Sequence, residues 1–108
     1  MLEISINKVA HIVLMSRELN RAEGELRAFI ERLSDEEQVS LVALMWIGRG
    51  TFEPEELNEA IQTAAEEATT PTADYLLGTP HLSDHLENGL DALGLSASDE
   101  EDDLIRGG

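Results

Sequence analysis

Between Ser34 and Gly50 the chain reads SDEEQVSLVALMWIGRG, and this run restricts the fold more than any other. From Val39 to Ile47 every position except Ser40 is apolar. A helix that is apolar on all sides has to be enclosed by its neighbours, so the run predicts a central buried helix over residues 35–48. A buried strand is the rival reading for so short a run. The flanks decide for helix. Ser34 and Glu37 have capping-box spacing, each side chain within reach of the other's amide. Three acids in the first turn suit the positive end of the helix dipole. Downstream, Gly48-Arg49-Gly50 reads as a stop, with one glycine left-handed and Arg49 near the negative end.

Other helices follow from spacing and punctuation. Ser5 can cap a segment reaching about Arg21, with Val9, Ile12, Val13 and Ser16 on one face. Gly24 breaks that pattern, and ELRAFIERL over 25–33 reads as a second helix. Pro54 opens another, whose stripe of Leu57, Ala60, Ile61, Ala64, Ala65 and Ala68 is narrow and mostly alanine. Thr70-Pro71 and Thr79-Pro80 open two more, stopped by Gly78 and Gly94. Leu82, Leu86, Gly89, Leu90 and Leu93 form the stripe of the last helix. Its interior glycine costs about 1 kcal/mol against alanine, and is read as marking a close helix crossing. No alternating segment is long enough for a sheet. The expected class is all-α: a single small domain of about five helices over residues 1–95, built on the helix 35–48. Residues 96–108 contain five consecutive acids, which cannot pack together, and read as a disordered acidic tail.

The tail is the extreme of a charge imbalance. Residues 1–50 carry six Lys/Arg and eight Asp/Glu, whereas residues 51–108 carry one and fifteen, a net of −2 against −14. No Lys or Arg lies between Arg49 and Arg106. Such a surface repels phosphate backbones and anionic membranes, which argues against direct binding of either. It favours another protein with a basic surface as partner. Mimicry of nucleic acid toward basic proteins ranks low, because the carboxylates follow no regular spacing. The plain alternative is that the charge only keeps a small protein soluble. Without cysteine the chain has no disulfide, thiolate ligand or cysteine nucleophile. With no basic leader at the N-terminus and no apolar run near the ~20 residues of a membrane span, a cytoplasmic location is expected.

Two stretches, LVALMWIGRG at 41–50 and ADYLLGTPHLSDHLENGLDALG at 73–94, together resemble a bacterial family known only as domain of unknown function 3775. The resemblance spans most of residues 5–94 and leaves out the tail. It implies a small, mostly helical bacterial domain and brings no activity, cofactor or catalytic residue with it.

The candidate binding residues are Trp46, Arg49, Tyr75, His81 and His85, each with a structural reading beside the functional one. Arg49 either clamps an anion or closes the central helix, paired with a carboxylate such as Glu53 or Asp74 and stacked near Trp46. His81 and His85 have the i, i+4 spacing that two metal ligands on one helix face require, with Asp84 nearby. A zinc site needs a third and usually a fourth ligand, and no spacing supplies them, although His11 on another helix is a candidate to converge. Tyr75 either packs its ring or donates a proton to a positioned partner. No phosphate loop, nucleophile elbow, HExxH or dinucleotide fingerprint is present. No catalytic residue, metal or cofactor is therefore assigned. The leading expectation is an acidic helical protein-interaction module without catalysis, binding another protein or a second copy of itself. The alternative is a small-molecule or metal-binding domain, enzymatic or not, using Arg49, Tyr75, His81 and His85.

Overall fold

The capping box at Ser34 forms as the spacing requires. In the computed structural model, which describes residues 2–67 and 70–95, Ser34 Oγ accepts from the Glu37 amide at 3.1 Å and Glu37 Oε1 accepts from the Ser34 amide at 2.9 Å. Six α-helices follow one another: α1 (Ile6–Arg17), α2 (Leu19–Glu31), α3 (Asp35–Arg49), α4 (Leu57–Glu66), α5 (Thr72–Leu77) and α6 (Leu82–Ala92). A 3-10 turn at Pro54–Glu56 leads into α4. No strand occurs among the described residues. The class is all-α as expected, and the about five helices read from the sequence are six α-helices among the described residues.

α3 is the central element. It packs against α6, α4 and α5, while α1 packs against α2 and α6. From Leu41 to Met45 every residue of α3 is buried. Ser40, the polar exception in the run, is fully buried too, and its hydroxyl accepts the Glu3 amide at 2.9 Å. That bond fastens the extended N-terminus, with Ile4 buried beside it, onto α3. Gln38 works at the opposite join. Its Nε2 donates to the carbonyl of Ile30, which also accepts the Leu33 amide, and to that of Leu33 just past α2.

Three ion pairs tie cations of the first half to carboxylates on other helices. Lys8 meets Glu37, Arg17 meets Glu87, and Arg27 meets Asp74. The Lys8 ammonium, and then the Ser34 amide, hold the Glu37 carboxyl below the usual carboxylate range. A depressed folded pKa contributes stability above the unfolded value, and that contribution is lost as pH falls through the folded one. Glu37→Gln is therefore expected to lower stability at pH 7, with the gap to wild type closing as pH falls through and below the ordinary carboxylate range. Urea denaturation across that range reads it out. A gap that stays constant with pH would contradict the assignment.

Three boundaries differ from the sequence reading. The break between the first two helices falls at Glu18, with φ −107° and ψ 34°, and not at Gly24. Gly24 lies inside α2 on its exposed side, with nothing within 4 Å of where a Cβ would stand. Leu26 and Ile30, both fully buried, hold α2 in place despite the glycine. Gly24→Ala is thus expected to stabilise by roughly 0.5–1 kcal/mol in chemical denaturation. A loss there would mean that α2 is not continuous across residue 24. The Thr-Pro steps are also displaced. Pro71 is the N-cap of α5 rather than its first residue. Thr79 does not cap α6, because its hydroxyl donates back to the Tyr75 carbonyl at 2.8 Å. His81 holds the N-cap position of α6 instead, in a left-handed conformation with φ 58° and with no side-chain capping bond. Finally, the alanine stripe of α4 is used internally. Ala60 and Ala64 are buried in the packing on α3, and Ala65 is exposed. Ala68 and the tail 96–108 lie outside the described residues.

Candidate functional site

α3 has two opposed faces, and they do different work. At about 100° per residue, Trp46 and Val39 stand roughly 160–180° around the helix from Gly48. The Gly48 face is closed by α6. A Cβ on Gly48 would overlap the His85 carbonyl oxygen and lie 2.8 Å from the Gly89 amide nitrogen. A Cβ on Gly89 would stand 2.5 Å from the Leu44 carbonyl oxygen. The two helices touch backbone to backbone, so the crossing expected at Gly89 is present and Gly48 is its other half. Gly50 supplies the stop, with φ 91° and its amide donating to Ile47 O.

The opposite face borders a cleft of about 220 Å³. Val39, Val42 and Ala64 contribute apolar lining, and Trp46 and Tyr75 the aromatic part. Glu67, Thr70 and Thr72 add the polar lining. The indole Nε1–H of Trp46 donates to the Tyr75 hydroxyl at 2.8 Å, which fixes the two rings relative to each other. Phe52 stacks against Trp46 with centroids 5.7 Å apart and planes 25° apart. α5 is braced beneath Tyr75 by the Thr79 hydroxyl already described.

Arg49 stands apart from this cleft. Among the described residues the expected salt bridge to Glu53 or Asp74 is absent, and Asp74 pairs with Arg27. Arg49 Nε donates to Thr51 Oγ1 at 3.1 Å instead, at the exposed end of α3. Its expected stacking on Trp46 is replaced by Phe52. The histidines lie elsewhere again. His81 is exposed, 4.0 Å from Asp84, beside a separate shallow cleft formed with Ser16 and the α5–α6 turn. The backbone of His85 is occupied by the Gly48 crossing. His11 stacks on Phe29 at 5.0 Å, between α1 and α2. Among the described residues no group of three His, Asp or Glu side chains is placed to hold a metal. Of the five candidates, the fold brings together Trp46 and Tyr75 and leaves Arg49, His81 and His85 outside their cleft.

A family model described as a protein of unknown function (DUF3775) matches residues 23–95. The chain belongs to this family. The match covers α3 to α6 and most of α2, including both stretches that carry the resemblance, but starts later than residue 5 and so omits α1. No curated protein and no solved structure matches the chain. Membership brings no activity with it, and the function of the family is unknown.

Glu67, Thr72 and Phe52 were not singled out from the sequence. A signal was present for part of the cleft: Val39, Val42 and Trp46 share one side of α3 at i, i+3, i+7. In a helix apolar on every face, that side cannot be told from the rest. Which face its neighbours leave partly uncovered depends on where α4 and α5 land.

Proposed function

We propose that this domain is an acidic helical module that binds another protein through that protein's basic surface, without catalysis of its own. The observation that carries the reading is uncompensated charge. Among the described residues, Asp74 and Glu87 are the acids of the second half that pair with a Lys or Arg, and both draw their cations from α1 and α2. The carboxylates of the 3-10 turn and α4, from Glu53 to Glu67, have no such partner there. A surface of this kind accelerates encounter with cationic partners and weakens in salt. A cytoplasmic location accords with this reading, and none of the described helices is long and apolar enough to cross a membrane. The small-molecule or metal alternative draws no support from the geometry, since Arg49, Tyr75, His81 and His85 do not meet in one place.

The test is affinity capture from a lysate of the source cell at low and high salt, followed by titration of the purified partner. A basic protein binding at a fixed stoichiometry, with affinity falling as salt rises, is the expected result. Capture of nothing, with the domain monomeric, would refute the reading. Self-association alone would replace the basic partner with a second copy of the chain.

A further inference from the structure

We propose that the cleft between α3, α4 and α5 receives an arginine side chain of that partner. The inference rests on the reading of the domain as a receptor for basic surfaces, and adds the pocket and the residue it takes. Four observations converge. The cleft, at about 220 Å³, is smaller than the roughly 300–1,000 Å³ typical of small-molecule sites, and suits one long side chain. Its lining has the mixed composition that such a chain needs. Val39, Val42 and Ala64 suit the methylene stem, and Trp46, with Phe52 stacked on its ring, and Tyr75 bring aromatic surface for a cation to the same lining. Glu67 is the charged residue among the described lining, and no Lys or Arg of the described chain pairs with it. The hydrogen bond from Trp46 to Tyr75 fixes the aromatic walls before any ligand arrives, which lowers the ordering cost of binding.

Arginine fits this lining better than lysine. Its guanidinium is planar, stacks on aromatic faces, pairs bidentately with a carboxylate and gives up water more readily than an ammonium. An acidic or neutral occupant is disfavoured by Glu67 and by the absence of any cation from residue 50 to residue 105.

Trp46 is the only tryptophan, so its fluorescence reports on the cleft directly. The full chain is titrated with the blocked pentapeptide acetyl-Gly-Gly-Arg-Gly-Gly-amide and with counterparts carrying lysine, citrulline or norleucine at the centre. The arginine peptide is expected to shift Trp46 emission to saturation. The citrulline and norleucine peptides are expected to bind at least about tenfold more weakly, the scale of one cation–π and carboxylate contact. Glu67→Gln, an exposed substitution that leaves the core intact, is expected to remove most of that preference. Equal binding of arginine and citrulline peptides, or an unchanged preference in Glu67→Gln, would overturn the pocket. A lysine peptide that binds as well as arginine would overturn the choice of arginine. If a captured basic protein binds while Trp46 emission stays still and Glu67→Gln has no effect, the pocket falls and the partner reading stands. If neither arginine peptide nor basic protein binds, both fall.

Discussion

Gly48→Ala is expected to cost the domain roughly 3 kcal/mol or more, the upper end for overpacked core positions. Overpacked cores usually recover part of the cost by rotating a side chain away. That route is closed at Gly48, because the atoms that a methyl group would meet are the His85 carbonyl and the Gly89 amide. α6 would have to move off α3, and these two helices form the most extensive contact in the fold. For a chain of this length the loss corresponds to a fall in Tm on the order of 10–20 °C. Gly89→Ala should cost less. It gains about 1 kcal/mol of helix propensity, and part of its clash is with the flexible Leu44 side chain. Thermal denaturation of the two variants, beside Gly24→Ala, separates them. Equal stability of Gly48→Ala and wild type would mean that α3 and α6 do not cross at this point.

Ile12→Ala is expected to destabilise by about 2–5 kcal/mol, with unfolding still a single transition. Ile12 belongs to α1, which the family match omits, yet it is fully buried in the same core cluster as Leu44, Leu86 and Leu90. Val9, Ala10 and Val13 on the same helix are fully buried as well. α1 is therefore part of the folding unit, whatever the extent of the family's shared sequence. A variant that melts in two steps, or one whose Tm is unmoved, would show that residues 23–95 fold independently of α1.

What was legible in the sequence was local. The Ser34–Glu37 box, the Ser5 cap on Lys8, the left-handed Gly50 and the burial of Leu41–Met45 depend on residues within a few positions of one another. Gly89 could be read because an unexplained helix-interior glycine implies a close neighbour. Its counterpart Gly48 could not, since a glycine two residues before a stop already has a reason to be there. The same holds for Arg49. A cation at a helix end next to an acidic half suggests a salt bridge, but which carboxylate it meets is set by packing. Arg27 reaches Asp74 because α2 lies against α5, a neighbour relation that no local signal carries. Thr79 followed by proline has the form of a helix cap, yet α5 ends close enough for its hydroxyl to turn back to Tyr75. The Trp46–Tyr75 pairing depends on the same placement of α5, so each residue was visible as a candidate and their meeting was not.

The most direct test of the functional account is amide chemical-shift mapping of the labelled domain with the arginine pentapeptide. The single indole N–H of Trp46, which donates to Tyr75, gives a resonance of its own. The account predicts that this resonance and the amides of Glu67, Thr72 and Tyr75 move together and saturate. Shifts confined to Arg49, or to His81, Asp84 and His85 at the start of α6, would contradict it.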